Sequence, residues 1–203
     1  MREIAPGLHY WTAAHPSWDP VAEPESEGDW PEHVGCVLFE APDAVVLIDP
    51  LVPEERWGEL DERIAERPVV VLVTMRFHGR SRDAVLARYG GTKVRHDAPM
   101  PAGVEALPIA GFDETMYWLP QPRALVPGDR LIGDRAGGAR ICPPAWLDYI
   151  PGDDGVEELR AALAPLLESP VEHLLLSHGD PVVGGGGAAL ARALAAGGTA
   201  TAH

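Results

Sequence analysis

The segment VVVLVTMRFHGRS, residues 69–81, decides the fold. Residues 69–74 are β-branched or leucine without interruption, which is typical of a strand buried on both faces of a sheet. Ser81 is suited to begin a helix and Gly90 to end it, so residues 75–80 form the loop between the strand and the helix. Open α/β sheets bind ligands beyond the carboxyl ends of their buried strands. This loop is therefore the first candidate for a functional site.

The sequence before this segment predicts two strands and a helix. The strands are Val34–Phe39 and Ala44–Ile48, and the four residues between them include a proline, as expected of a turn in a hairpin. Pro53 is suited to the first turn of the helix, and Pro68 ends it. The first half of the chain thus has the order strand, strand, helix, buried strand, loop, helix.

The second half has shorter elements. A helix is expected after Asp153 or Asp154, either of which is suited to cap it, and a small closing helix at residues 188–196. The strand candidates are Val104–Ile109, Thr115–Leu119, Ala124–Val126, Leu131–Ile132 and His173–Ser177. No segment repeats at a fixed period. Residues 1–203 are thus expected to form a single mixed α/β domain built in layers.

Composition and charge exclude several classes of protein. The 203 residues are 46% hydrophobic and 23% charged, as in globular domains, and two cysteines cannot build a disulfide framework. A net charge of −15 argues against binding nucleic acid or an anionic membrane, because both need a basic surface. The chain shows no signal segment and no membrane span, so a cytoplasmic location is expected. Apolar stripes on the last helices leave a homodimer open.

Residues 16–32 form an acidic, proline-rich stretch with no period. Six acidic residues surround Trp18 and Trp30 there, which predicts an exposed loop or arm. A solvated connection is one interpretation of this arm, and an aromatic lid that lines a small-molecule pocket is the other.

Four short segments carry a resemblance to a known family. They are VVLIDP at 45–50, VLVT with its loop at 71–81, VPGD at 126–129 and LSHG at 176–179. In this order they resemble the metallo-β-lactamase fold, most nearly its glyoxalase-II-like hydrolases. The resemblance implies a four-layer αββα sandwich with the site at one edge of the two sheets. It also implies that Asp49 lies behind the metal ligands, that Asp129 is the bridging aspartate and that His178 is the final histidine.

The chain departs from the family in its zinc signature. The family carries His-x-His-x-Asp-His directly after the threonine, whereas the signature positions here hold Met75, Phe77, Gly79 and Arg80. The family's third histidine falls near residues 110–114, which contain no histidine. Two of the seven expected ligands remain, and a catalytic zinc needs three. The ordinary binuclear zinc site is therefore absent.

Arg80 is a candidate replacement for the lost metal charge. We expect its guanidinium to stand in for the second zinc, to pair with Asp129 and to fix His178, because a forked contact supplies both charge and directed hydrogen bonds. Met75 and Phe77 would fill the space of the first zinc. On this hypothesis no cofactor is expected, and the candidate catalytic residues are His178, Asp129 and Arg80.

His78 opens an alternative. It lies in the same loop, and with Asp129 and His178 it would supply suitable ligand types for one divalent metal such as zinc. Otherwise His78 would be a solvent-facing or hydrogen-bonded histidine beside Arg80. The candidate ligand-contacting residues are His78, Phe77, Phe112 and Trp146. Asp113 and Glu114 could form a carboxylate pair at the pocket rim, but adjacent acidic residues are expected simply to face water.

Three functions follow from these alternatives. The first is a non-catalytic member of the fold, a pseudoenzyme that keeps its pocket for an unidentified small molecule. The second is a hydrolase of an ester, thioester or lactone that uses one metal on His78, Asp129 and His178. The third is metal-free hydrolysis, with His178 as general base and Arg80 as oxyanion donor.

Overall fold

Two β-sheets packed face to face form the middle of the molecule. The structure is a computed structural model and describes residues 1–134 and 136–196. The first sheet has six strands in chain order: β1 (Arg2–Ala5), β2 (Leu8–Ala14), β3 (His33–Glu40), β4 (Val45–Ile48), β5 (Val69–Leu72) and β6 (Thr92–Lys93). Strands β1 to β4 are antiparallel neighbours, whereas β4, β5 and β6 run parallel.

The second sheet has five strands and a separate hairpin beside it. In spatial order its strands are β13 (Val182–Val183), β12 (His173–Leu174), β9 (Ala124–Val126), β8 (Thr115–Leu119) and β7 (Glu105–Pro108). Strand β12 runs parallel to β9, and the other pairs are antiparallel. The hairpin consists of β10 (Leu131–Gly133) and β11 (Ala139–Ile141). The sheet therefore brings the ends of β9 and β12 to the same edge.

Helices cover the outer face of each sheet. The α-helices are α1 (Trp57–Ile64), α2 (Arg82–Tyr89), α3 (Pro144–Asp148), α4 (Val156–Leu163) and α5 (Gly186–Ala195), with 3-10 turns at Glu54–Arg56, Arg76–Gly79 and Ala164–Glu168. Within residues 1–134 and 136–196, no helix has both the length and the apolar character needed to cross a bilayer.

Three apolar clusters hold the layers together, as expected where each sheet buries both faces. The cluster between the sheets includes Tyr10, Val37, Ile48, Leu72, Tyr117, Leu119 and Val126. Leu60, Ile64 and Val85 of α1 and α2 pack on the outer face of the first sheet, and Leu159, Leu163 and Leu190 of α4 and α5 on that of the second. The expected αββα sandwich is confirmed.

Two details of the second half differ from the prediction. Helix α4 begins after Gly155 and has no side-chain cap, because Asp153 instead pairs with the buried Arg130. The predicted strand at 173–177 is hydrogen-bonded as a strand only at His173–Leu174. Sequence patterns also missed β1, β2, β6, β11, β13 and α3.

The two sheets meet at the edge where β4, β5, β9 and β12 end. The backbone N–H of Gly35 donates to the carbonyl of Ser177 over 2.7 Å, and Val34 bridges to His178. A Cβ at Gly35 would lie 2.2 Å from the carbonyl oxygen of Leu176, so only glycine permits this approach. The crossing places His178 beside the strand ends of the first sheet.

Candidate functional site

Four strand ends place four polar side chains at this edge. Asp49 follows β4, His78 lies in the 3-10 turn after β5, Asp129 follows β9 and His178 lies shortly after β12. Their positions follow from the rule that side chains beyond the carboxyl ends of neighbouring strands share one edge of a sheet.

His78 is buried and held from behind by Asp49. Its Nδ1 lies 2.7 Å from Oδ2 of Asp49 and 2.9 Å from Oγ1 of Thr74. Thr74 donates its backbone N–H and its hydroxyl to the same carboxylate. Because Asp49 accepts only, Nδ1 of His78 carries a proton, and Nε2 is the ring nitrogen that can bind a metal when it is deprotonated. The solvent-facing alternative for His78 is wrong, and Asp49 lies where the resemblance places it.

The ligand atoms of His78, Asp129 and His178 converge. Oδ1 of Asp129 lies 3.0 Å from Nε2 of His78 and 3.1 Å from Nε2 of His178, and the three atoms lie within 4.8 Å of one another. Oδ1 is buried, and the two Nε2 atoms are the side-chain groups nearest to it. Three acceptor atoms this close together need either a proton on an imidazole nitrogen or a metal cation between them.

The charges in this cluster shift one another's ionisation. Burial opposes a charge on His78, but the carboxylates of Asp129 and Asp49 outweigh it and raise the pKa of His78 to about 9. Burial also opposes the Asp129 charge, but the two imidazoles outweigh it and hold the pKa of that carboxyl well below its usual range. Burial lowers the pKa of His178. Asp129 is thus an anion between two imidazoles.

The residues present fit one metal ion. Two imidazole nitrogens and one carboxylate oxygen form a donor set that zinc, iron and manganese accept. Met75, Phe77 and Gly79 have no side-chain nitrogen or oxygen that could bind a metal. Arg80 is cationic and would repel one. The four signature positions therefore add no ligand of this kind. A binuclear site of the family's ordinary type does not fit this chain.

Arg80 has different partners from those predicted. Its Nη1 donates to the carbonyls of Gly35 and Asp49 over 2.9 and 3.1 Å, and its Nη2 donates to Oγ of Ser177 over 2.8 Å. The prediction that this guanidinium pairs with Asp129 is wrong, because these acceptors at the strand ends occupy it. Arg80 therefore ties the two sheets together beside His178.

Glu114 is a part of the site that sequence patterns missed. It is buried, and its carboxylate accepts the backbone N–H groups of Gly128, Asp129 and Arg130 over 2.7–3.0 Å. Burial and the nearby Asp129 raise the pKa of Glu114 to about 7 against the opposing field of Arg130. The expectation that it faces water is wrong for Glu114. Its role is to fix the turn that presents Asp129.

Glu114→Gln is expected to lower the free energy of unfolding by about 1–3 kcal/mol. The amide nitrogen of glutamine cannot accept, so at least one buried N–H of the turn at residues 128–130 loses its partner. Urea denaturation of the metal-free protein measures the change. Asp113→Asn, at the neighbouring half-buried carboxylate that pairs with the exposed Arg76, is the control. An equal effect in both variants would contradict the assigned role of Glu114.

A cavity of about 590 Å³ opens above the three ligand atoms. Its aromatic lining is Phe77, Trp146, Tyr149 and Trp30. Trp146 and Trp30 meet the ring of His178 edge-on, with centroids 5.2 and 5.5 Å apart. Phe77 and Tyr149 are exposed and pack together at 5.7 Å. The cavity thus combines apolar aromatic walls with a polar floor.

The acidic arm forms part of this cavity. Trp146 donates its indole N–H to the carbonyl of Ser26 over 2.9 Å, and Trp18 donates to the carbonyl of Trp30 over 3.1 Å. His15 stacks edge-on against Trp30 at 4.9 Å. Of the two interpretations of the arm, these contacts favour the one in which it lines a pocket.

The structure brings three of the four predicted ligand-contacting residues to this cavity. His78, Phe77 and Trp146 line it, whereas Phe112 lines a different groove. Trp30 also lines it, as the lid interpretation of the arm expects. Tyr149 is an addition to the cavity, and Glu114 is an addition behind it, at the turn of Asp129. Neither a tyrosine at the end of a short helix nor an acidic residue at the start of a strand gives a sequence signal for such a place.

Solved structures resemble the chain where sequence comparison finds nothing. No protein-family model and no curated protein matches it. The metallo-β-lactamase DIM-1 is 12% identical with a TM-score of 0.63, over 98% of this chain and 96% of that one. A metallo-β-lactamase from Erythrobacter litoralis is 14% identical with a TM-score of 0.61, over 96% and 89%. TTHA1623 in a di-iron-bound form is 20% identical with a TM-score of 0.57, over 80% and 94%.

These likenesses show that the chain has the metallo-β-lactamase fold. The match covers nearly the whole of this chain and of DIM-1. At such low identity the likeness concerns the fold alone, and the function has to be argued from the site.

Proposed function

We propose that this chain with the metallo-β-lactamase fold is a hydrolase of an ester, thioester or lactone that uses one divalent metal. The observation that supports this most is the convergence of the buried Oδ1 of Asp129 with the Nε2 atoms of His78 and His178. Three protein ligands with a position left open is the usual composition of a catalytic zinc site.

The chain's own residues would bind and orient the reactants. Asp49 keeps the proton on Nδ1 of His78, and Glu114 fixes the turn that carries Asp129. The aromatic walls formed by Trp30 and Trp146 hold an apolar acyl group and exclude bulk water. When bound, a divalent cation would supply Lewis acidity toward water and the carbonyl group.

A metal-free ligand-binding protein is the second candidate. It is favoured by the opposite charges of His78 and Asp129, which stand 3.0 Å apart and stabilise each other without a cation. The metal-free hydrolase has less support, because both terminal nitrogens of Arg80 already donate to protein acceptors. An oxyanion donor would have to come from elsewhere.

Metal content and turnover together test the proposal. Elemental analysis of the unchelated protein should find about one equivalent of zinc, iron or manganese. Hydrolysis of 4-nitrophenyl acetate, an aryl thioester and a butyrolactone is then compared before chelation, after chelation and after metal is restored. Loss and recovery of activity support the proposal. Less than about a tenth of an equivalent, with no effect of added metal on melting, would favour the ligand-binding protein. Turnover that survives chelation and is lost in His178→Ala would favour metal-free catalysis.

Asp49→Asn is expected to weaken metal affinity by about 10–100-fold. The amide of asparagine donates to Nδ1 of His78, which moves the imidazole proton to Nε2 and removes that ligand atom. Competition with a chromophoric chelator measures the affinity, and Asp61→Asn on α1 is the control. Unchanged affinity would mean that His78 is not a ligand.

A further inference from the structure

A second cavity of about 430 Å³ lies next to the candidate site and shares Met75 with it. It opens between the start of the loop after β5, the end of β6 and the segment that leads into β8. The ligand set proposed above does not include any residue of this second cavity.

The second cavity is the basic groove of an acidic protein. Its basic residues are Arg76, Arg82, Lys93, Arg95 and His96, and they outnumber the two acidic residues of the lining, Asp113 and Glu114. They include four of the sixteen lysines and arginines in a chain of net charge −15. Lys93 is the only lysine, and within residues 1–134 and 136–196 its ammonium group has no ion pair or hydrogen bond. Such a concentration of positive charge attracts an anion.

Two of the groove's arginines pair with exposed carboxylates outside its lining, whereas Arg76 pairs with Asp113 inside it over 2.5 Å. Arg82 pairs with Asp83 over 2.7 Å, and Arg95 pairs with Asp97 over 3.2 Å. Both carboxylates are sequence neighbours of their partners and are largely exposed. Exposed pairs of this kind contribute little free energy. An incoming oxyanion can therefore displace them at small cost.

The floor of the groove, at Thr115 and Tyr117, is polar, whereas its wall at Phe112 is apolar. The hydroxyl of Tyr117 donates to the carbonyl of Val73, and the backbone N–H of Thr115 donates to the carbonyl of Thr74. These polar groups of the floor are satisfied within the protein. Phe112 contributes an apolar wall. Recognition in this groove thus depends on its cations and on one aromatic ring.

We propose that the basic groove binds a phosphate-bearing small molecule. Its phosphate oxygens would take donors from Lys93, Arg82 and Arg95, since guanidinium groups match phosphate in a forked geometry. The organic part would lie against Phe112. The groove shares Thr74 and Glu114 with the back of the candidate site, but anion binding in it does not require a metal or hydrolysis.

Calorimetry on the chelated, metal-free protein tests the groove. The probes are inorganic pyrophosphate, phenyl phosphate and citrate. We expect saturable binding of both phosphates, and the double variant K93E/R95E should raise their Kd by at least about tenfold. The double variant R2E/R192E changes the net charge equally at exposed positions remote in sequence, and it should change Kd by less than about twofold.

Phe112→Ala should weaken phenyl phosphate and leave pyrophosphate unchanged. The proposal is overturned if neither phosphate binds at millimolar concentration, or if R2E/R192E has the same effect as K93E/R95E. Tighter binding of citrate than of phenyl phosphate would also overturn it, because a carboxylate would then be the preferred anion. Since metal is removed beforehand, none of these outcomes depends on the proposed hydrolase.

Discussion

Asp129→Ala is expected to lower the affinity of the protein for zinc by more than about a hundredfold. The loss of a group that merely supports a ligand costs about 10–100-fold, and the loss of a direct ligand should exceed it. Asp129 is also the sole anion among the three converging groups, so its removal leaves two imidazoles facing a cation without compensating charge. Chelator competition measures the affinity, and hydrolysis should fall with metal occupancy.

The control for this variant is Asp148→Ala, at an exposed carboxylate on α3. It removes the same charge from the chain without touching the three ligand atoms. Equal zinc affinity in Asp129→Ala and the unmodified protein would place the metal elsewhere and contradict the proposed function. A fall in both variants would indicate loose surface binding by an acidic protein.

The order of four short motifs was enough to predict the fold and the place of the site. Strands β4, β5 and β9 are short runs of apolar residues, and each ends in a segment that the resemblance identifies. Because side chains at such strand ends share one edge, the meeting of His78, Asp129 and His178 was predictable. The sequence pattern was less informative for β1 and β2, where the buried His9 breaks the expected alternation.

The contacts of Arg80 were not predictable from its place in the signature. Its backbone has a φ of 34°, a conformation that L-residues seldom adopt. Alignment gives the position of a residue along a loop, but the backbone turn decides which strand ends its side chain reaches. Here the side chain meets the carbonyls of Gly35 and Asp49. The burial of Glu114 was not predictable from its sequence neighbours either, because it depends on a turn that begins fourteen residues later, at Gly128.

The second large effect is expected at the ion pair between Arg130 and Asp153. Arg130 follows Asp129 and is 1% exposed, and its Nη2 contacts Oδ2 of Asp153, whose side chain is 3% exposed. The other oxygen of Asp153 accepts the backbone N–H of Asp113 over 2.9 Å. Removing Asp153 leaves the buried guanidinium offset only by the fields of Glu114 and Asp129, with which it makes no ion pair in the described residues. Asp153→Ala should therefore cost about 3–5 kcal/mol of unfolding free energy.

Urea denaturation measures the change, and Asp154→Ala is the matched control. Asp154 is exposed, so its loss should change the free energy of unfolding by less than about 0.5 kcal/mol. The double variant Arg130→Met with Asp153→Ala should recover much of the loss, since an apolar side chain does not need a counter-charge in that place. If Asp153→Ala costs less than about 1 kcal/mol, the pair is better solvated than its burial indicates. The double variant could recover stability and still lose metal affinity. Arg130 would then be needed to hold the turn that presents Asp129, independently of its contribution to the free energy of unfolding.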